Sequence, residues 1–182
     1  ADFHSGSLRD KIRPCVFSNS PGGFRTVNIK LAYSEVTGRS RSEVLSGDID
    51  NLKLKERVSV INTVKAPYHL LTVKQADLGI GLYRATSLNQ VYAAPNRLFE
   101  FTRFSIPVVL PDFPYFNHLS ERYQYAINTA DPDNPREIAE TIKRVLSPEN
   151  YQIARMNSER FTRECGNYKL YFDKIWKEIT SN

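Results

Sequence analysis

The chain has 182 residues, of which 41% are hydrophobic and 25% are charged, and this composition is typical of a folded domain rather than a disordered or fibrous chain. No apolar run approaches the roughly 20 residues that a membrane-spanning helix needs, and the N-terminus lacks the basic and apolar regions of a signal peptide. The 25 basic and 20 acidic residues are scattered and form no basic-aromatic motif, so nucleic acid is not the expected partner. We expect one soluble domain.

Cysteine and histidine positions argue against a metal site. Cys15 and Cys165 lie far apart without metal-ligand spacing, and His4, His69 and His118 show neither metal-ligand nor Ser-His-Asp spacing. We therefore predict buried free thiols, no metal and a reducing cytoplasmic location. The net charge of +5 is a modest signal of attraction to an anionic surface, such as the inner face of the cytoplasmic membrane, where each nearby Lys or Arg adds about 1 kcal/mol.

The first part of the chain departs from a regular alternation of strands and helices. Strands are predicted at residues 14–18 and 27–33, with only a short segment between them. Parallel neighbours need a crossover of about a dozen residues or more, so these strands either form a hairpin or belong to a truncated edge of the sheet. We accordingly divide the chain into an atypical N-terminal segment or edge strand, residues 1–26, and a main domain, residues 27–182.

The next segments alternate between helix and strand. Residues 40–55 predict a helix that is broken at Gly47, and residues 58–61 predict a short buried strand. Pro67 begins a helix that extends to about Gln75.

Residues 76–111 form a strand, loop, helix and strand unit. The apolar run 76–83 suits a buried parallel strand, 84–95 has the polar composition of a loop, and 106–111 reads as the next strand. Between them a helix follows Pro95, with Asn96 as its expected N-cap. Ligands of open parallel sheets bind beyond the carboxyl ends of the strands, which is where the loop after the first strand and the start of this helix should meet.

The C-terminal part continues the α/β alternation. Asn134 is expected to cap a helix from Pro135 to about Leu146, and we interpret Asp131 and Asp133 as a turn before it rather than a metal-binding pair. The other predicted elements are a helix at 115–122, a strand at 125–127 and helices at 148–164 and 168–179. In the last helix the apolar residues recur at helical spacing and predict a buried face: Leu170, Ile175, Trp176 and Ile179.

Two short motifs in this chain resemble a known enzyme family. The segments 96–101 (Asn-Arg-Leu-Phe-Glu-Phe) and 105–108 (Ser-Ile-Pro-Val) are similar to motifs in the donor-binding half of GT-B glycosyltransferases, particularly the family 4-like enzymes of bacterial surface polysaccharide synthesis. The resemblance is clear over about residues 58–146. It implies a Rossmann-like parallel sheet flanked by helices, which forms one half of a GT-B architecture.

The resemblance also implies roles for individual residues. Glu100 would accept hydrogen bonds from the ribose hydroxyls of a nucleotide, and a carboxylate suits that task because it accepts two hydrogen bonds. Without the motif, Glu100 would be interpreted as a solvent-facing helix residue. Asn96 and Arg97 are expected near the diphosphate. Tyr83 and Arg84 are expected in the donor pocket, and Asn62 and Val64 at the base.

The chain departs from the family pattern at positions connected with catalysis. Many members carry a second glutamate eight positions before the ribose-binding one, and that position here is Tyr92. The subgroup with the motif Asn-Lys-Leu-Phe-Glu-Tyr, which 96–101 resembles, often lacks this earlier glutamate as well. The arginine and lysine that neutralise the departing diphosphate have no motif match, so Arg25, Lys30 and Arg84 remain three candidates. No catalytic residue is assigned.

The expected function follows from the resemblance alone. It implies metal-independent, retaining transfer of a sugar from a nucleotide-sugar, with a UDP-sugar favoured, to a saccharide or lipid-linked acceptor of lipopolysaccharide or capsule synthesis. The acceptor site would belong to a missing N-terminal domain, and this domain alone is expected to be inactive. In the family the last helix crosses onto that missing domain, so exposed Tyr168, Tyr171 or Trp176 would mark the contact. A nucleotide-sugar epimerase and a degenerate nucleotide-binding domain without transfer activity are the alternatives.

Overall fold

The computed structural model describes residues 67–181, three further strands and the single residues Ile49, Asn51 and Lys53. The strands are β1 (Cys15–Asn19), β2 (Val27–Ala32), β3 (Val58–Ile61), β4 (Leu78–Ile80), β5 (Val108–Pro111) and β6 (Ile127–Ala130). The helices of the described ranges are α1 (His69–Val73), α2 (Leu88–Tyr92), α3 (Asn96–Thr102), α4 (Pro114–Arg122), α5 (Pro135–Val145), α6 (Pro148–Glu164) and α7 (Tyr168–Thr180). Of the predicted helix at 40–55, Ile49 and Asn51 are described and are helical, and Lys53 lies in a turn; the rest of it and the predicted base-binding loop with Asn62 and Val64 lie outside the described residues.

The six strands form one sheet in the order β3-β2-β1-β4-β5-β6. β4, β5 and β6 are parallel to one another, and β2 is parallel to β3. The predicted α/β class with a parallel sheet flanked by helices is confirmed. The exception is β1, which is antiparallel to both of its neighbours.

Of the two alternatives for the first two strands, a hairpin or a truncated edge of the sheet, the structure has the antiparallel pairing of a hairpin. Cys15 lies opposite Leu31 of β2 on one side and opposite Ile80 of β4 on the other, so β1 is an interior strand. The expectation of an edge strand in residues 1–26 is therefore wrong. Pairing on both sides satisfies the backbone groups that an edge strand would leave open.

The core has two layers, one on each face of the sheet. All four residues of β5 are buried, as expected for a central parallel strand. Val108 and Leu110 belong to the apolar cluster beneath α1, α3 and α4, whereas Val109 belongs to the opposite cluster with Leu78 and Val145 of α5. Because successive side chains of β5 point to opposite faces of the sheet, this one strand contributes to both core layers.

Helix α3 packs directly on β4. Phe101 is fully buried, and its ring lies against the backbone of Gly79. A Cβ atom on Gly79 would lie 2.5 Å from Cγ of Phe101, which is closer than van der Waals contact allows. The absence of a side chain at Gly79 therefore sets how closely α3 approaches the sheet.

A stack of aromatic rings connects α3 to the C-terminal half of the domain. The rings of Phe99 and Phe161 lie 5.9 Å apart in a stacked arrangement, and Phe161 meets Tyr123 edge to face at 5.1 Å. Helix α6 supplies Phe161 to the first core layer and Ala154 to the second, so it crosses the end of the sheet. This stack ties α3 to α4 and α6.

Polar contacts around Glu164 also connect the end of α4 with the end of α6. The hydroxyl of Tyr123 and Nη2 of Arg122 each donate to Oε2 of Glu164 at 2.9 Å, and Nε of Arg160 donates to Oε1 at 2.9 Å. The hydrogen bond from Arg160, followed by that from Tyr123, lowers the pKa of Glu164 from 4.5 to about 2. Burial, with Cys165 and Glu164 nearby, raises the pKa of Tyr123, so its hydroxyl remains a donor.

Most helix boundaries agree with the sequence, but two short elements do not. Helix α2 interrupts the predicted loop, because Ser87 caps it by accepting a hydrogen bond from the amide of Gln90. Strand β6 begins at Ile127, since Tyr125 has a φ of 63° and cannot continue an extended strand. Asn134 caps α5 as predicted, with its side chain accepting from the amide of Glu137.

The predicted buried face of α7 is wrong for three of its four residues, and the side chain of the fourth, Leu170, lies outside the part that the structure describes. Ile175, Trp176 and Ile179 are 55%, 55% and 66% exposed, and Tyr168 and Tyr171 are exposed as well. Instead of packing on the sheet, the rings of Tyr168, Phe172 and Trp176 stack on one another along the helix, at 5.8 and 5.9 Å. Helical spacing shows that such side chains share a face, but it does not show what covers that face. None of the described helices is long and apolar enough to cross a membrane.

Replacing Gly79 with alanine is expected to lower the free energy of unfolding by about 1–3 kcal/mol, because the new methyl group overlaps the Phe101 ring. Urea unfolding measures the change. In the double variant Gly79→Ala/Phe101→Leu the two costs should be less than additive, because the smaller side chain relieves the overlap. Simple additivity of the two costs would contradict the proposed contact.

Glu164→Gln is expected to destabilise the protein near neutral pH and to lose this effect in acid. Because the folded state lowers the pKa of Glu164 from 4.5 to about 2, the unfolded chain binds the proton first, and the stabilisation disappears as pH falls through that window. Urea unfolding of both proteins across this pH range measures it. A difference that does not change with pH would show that the carboxylate charge is not responsible.

Candidate functional site

Helix α3 carries three of the predicted site residues on its outward side and on one flank. Leu98, Phe101 and Thr102 are buried in the core. At 100° per residue, Asn96 and Glu100 lie about 40° apart on the opposite side of the helix, and Arg97 lies on its flank, about 40° from Phe101. Asn96 is exposed, and Arg97 and Glu100 are half-buried. Packing of the apolar face therefore directs the polar residues of the motif away from the core.

The start of α3 differs in one respect from the sequence expectation. Pro95 is the N-cap, with extended φ and ψ of −73° and 142°, and Asn96 is the first helical residue. The predicted capping role of Asn96 is therefore wrong, because a residue with helical backbone angles does not present its side chain to the next amides as an N-cap does. Asn96 remains at the open end of the helix.

Arg97 and Tyr83 lie near each other beside the end of β4. Cδ of Arg97 lies 3.8 Å from the position that a Cβ on Gly81 would occupy. Burial raises the pKa of Tyr83, and the positive charge of Arg97 opposes that shift. Because Gly81 has no side chain, the Arg97 side chain has room beside the end of β4 and the loop that follows it.

The Tyr83 side chain contacts the loop that follows it and the adjacent core. Its hydroxyl donates to the backbone carbonyl of Gln90 at 3.2 Å, and its ring meets Phe113 edge to face at 5.6 Å. It is half-buried against the first core layer. These contacts hold α2 against the end of β4, so the predicted pocket residue covers part of the core and orders the loop.

Arg84 forms an ion pair with Asp133. Nε of Arg84 donates to Oδ1 of Asp133 at 2.7 Å, and Nη2 contacts the same oxygen. The interpretation of Asp131 and Asp133 as a turn is confirmed, since the amide of Asp133 donates to Oδ1 of Asp131 at 2.9 Å and the amide of Asn134 to its carbonyl at 3.0 Å. The ion pair links the loops that follow β4 and β6 across the end of β5.

Glu100 contacts a residue that sequence reasoning did not select. Nε2 of His69 lies 3.3 Å from Oε1 of Glu100, and the two side chains are 34% and 28% exposed. His69 lies in the first turn of α1, 31 positions earlier in the chain. Its spacing to other residues matches no catalytic or metal motif, so only the packing of α1 beside α3 identifies it.

The remaining candidates do not join this cluster among the described residues. Lys30 lies within β2 opposite Val16, two strands away from β4 in the sheet order. Tyr92 ends α2 and is 66% exposed. Arg25, Asn62 and Val64 belong to the segments that the structure does not describe. In the described part of the chain, no group of three or more His, Cys, Asp and Glu side chains is placed to hold a metal ion.

Comparison with solved structures identifies the fold. A sucrose-phosphate synthase from Thermosynechococcus elongatus matches 84% of this chain with a TM-score of 0.59 and 14% sequence identity. The likeness is one of fold, and it agrees with the predicted Rossmann-like half of a GT-B architecture. The chain spans 38% of the length of the synthase. No protein-family model matches the chain, and no curated protein matches it.

Asp133→Asn is expected to strengthen binding of UDP, the type of ligand that the resemblance implies, because it releases Arg84 from an anionic partner beside the crevice. Exposed ion pairs contribute little, so the expected gain is about 2- to 5-fold in affinity. Calorimetric titration measures it, with Asp173→Asn on exposed α7 as the matched control. Equal or weaker binding by Asp133→Asn would show that Arg84 does not act on the diphosphate.

Proposed function

We propose that this chain is the donor-binding domain of a glycosyltransferase and that it binds a nucleotide-sugar, with a UDP-sugar favoured. The observation that carries this proposal is Glu100, which lies on the outward side of α3 within the motif 96–101, in a fold of the GT-B type. The crevice beyond the carboxyl ends of β4 and β5 is the expected ligand position in such a sheet.

Glu100 would bind the ribose. An ionised carboxylate offers two acceptor oxygens and matches two neighbouring hydroxyl donors. Its half-buried position is partly shielded from water, which strengthens a hydrogen bond to a charged acceptor compared with a fully exposed site.

Arg97 would bind the diphosphate, with Asn96 beside it. Arg97 lies next to Gly81 and Tyr83 at the end of β4, where a guanidinium donates in a planar fork that suits phosphate oxygens. Arg84 would contribute after exchanging Asp133 for the ligand. The base would contact the loop with Asn62 and Val64, largely through backbone groups.

In the transfer reaction, an acceptor hydroxyl would form a bond to the anomeric carbon while the bond from that carbon to the diphosphate oxygen breaks. The hydroxyl proton leaves to a base, and negative charge develops on the departing diphosphate. Cationic side chains placed at that oxygen stabilise the charge in the transition state, so no metal is required. Retention of the anomeric configuration and an acceptor of bacterial lipopolysaccharide or capsule synthesis follow from the family resemblance.

A second domain would supply the acceptor site. The chain matches 38% of the length of the synthase, and α7 presents six exposed apolar residues: Tyr168, Tyr171, Phe172, Ile175, Trp176 and Ile179. An apolar face of this kind is suited to burial against a partner surface. We therefore propose that α7 contacts an N-terminal acceptor domain, that the parent enzyme is cytoplasmic and peripheral at the membrane, and that this chain alone is inactive.

A degenerate domain that binds nucleotide without transfer is the second candidate. It is favoured by the absence of a motif match for the arginine and lysine that neutralise the diphosphate, and by the engagement of Arg84 with Asp133. Nucleotide binding by the parent protein together with an absence of transfer would identify this case.

Glu100→Ala is expected to weaken binding of UDP or GDP by about 10- to 100-fold, because it removes hydrogen bonds to a charged acceptor. Calorimetric titration with both nucleotides and their sugar conjugates measures the loss and identifies the base. Glu140→Ala, an exposed glutamate on α5, is the matched control and should bind like the wild type. Unchanged affinity in folded Glu100→Ala would exclude the ribose role.

A further inference from the structure

Glu100 is oriented from outside its own helix. His69 belongs to α1, and Nε2 of its ring lies 3.3 Å from Oε1 of Glu100. Both residues are partly buried, so water competes less for this contact than for a fully exposed pair.

The packing of α1 explains why His69 reaches this position. Val73 follows His69 by four residues, so the two share one face of α1. Val73 is buried in the same core cluster as Leu98 and Phe101 of α3. His69 therefore lies at the rim of the contact between the two helices, where the outward side of α3 begins.

The contact limits the orientations of a flexible carboxylate. A glutamate side chain has many rotamers, and ordering it on ligand binding costs conformational entropy. A ring N–H that donates to Oε1 holds the side chain in one arrangement before the ligand arrives. The lone pairs of Oε2 and the second lone pair of Oε1 then remain for other donors.

We propose that His69 is a positioning residue for Glu100 and sets the preference of this site for ribose over 2-deoxyribose. The inference rests on the proposed nucleotide-binding function. A carboxylate held in advance receives both hydroxyls of the diol at low entropic cost. Loss of one hydroxyl from the ligand, or of the His69 contact from the protein, removes the same advantage.

A purely structural role for His69 predicts a different result. If His69 served only to pack α1 on α3, its loss would weaken UDP and 2′-deoxy-UDP equally. The measured quantity is therefore the ratio of the two affinities, obtained by calorimetric titration of the folded protein with each nucleotide.

The variants separate the hydrogen bond from the bulk of the ring. His69→Phe retains a ring without a donor, so UDP, which uses both hydroxyls of the diol, should lose more affinity than 2′-deoxy-UDP, and the ratio should fall by about 3- to 10-fold. His69→Gln places an amide donor near the position of Nε2 and should keep most of the preference. His69→Asn is too short to reach Oε1 and should behave like His69→Phe. His118→Phe is the matched control, because His118 is exposed on α4.

Each outcome identifies which statement fails. The role of His69 is overturned if His69→Phe and His69→Asn both keep the wild-type affinity ratio, or if both nucleotides bind equally more weakly. In that case Glu100→Ala still abolishes the preference for ribose. If Glu100→Ala keeps the wild-type ratio, or the wild type binds neither UDP nor GDP, the proposed function fails and the inference fails with it. If the wild type binds only GDP, the ratio is measured with GDP and 2′-deoxy-GDP. Circular dichroism and thermal unfolding confirm that each variant is folded.

Discussion

The position of α3 depends on the contact between Phe101 and the backbone of Gly79. Because no side chain stands between them, the ring is fully buried and the helix lies close to β4. Protein cores are close-packed, so a shift of one ring would move the whole helix. The outward residues of α3, Glu100 above all, therefore have a place that is set from the core side.

Neighbouring elements restrain α3 from two further directions. The stack of Phe99 on Phe161 connects it to α6, and the contact of His69 with Glu100 connects it to α1. The cluster around Glu164 in turn holds the ends of α4 and α6 together. Contacts on several sides therefore restrain α3, and a restrained element loses less conformational entropy when a ligand binds to it.

Strand β1 and helix α7 differ in whether neighbouring elements cover them. β1 enters the interior of the sheet as an antiparallel strand, so its backbone groups pair on both sides. Helix α7 instead leaves an aromatic face exposed. The first arrangement leaves β1 without an open edge, and the second leaves an apolar helix face open to solvent.

Local patterns in the sequence determined the α/β class, most helix boundaries and the motif that selects Glu100, because periodicity and caps act over short distances. Asn134 and the bounds of α6 are examples. For the first two strands these patterns left a hairpin and a truncated edge as alternatives. Only the tertiary structure decided the interior position of β1, the exposure of α7, the pairing of Arg84 with Asp133 and the contact of His69 with Glu100. These depend on which elements meet in space, and residues that lie 31 or 49 positions apart carry no local signal of their contact.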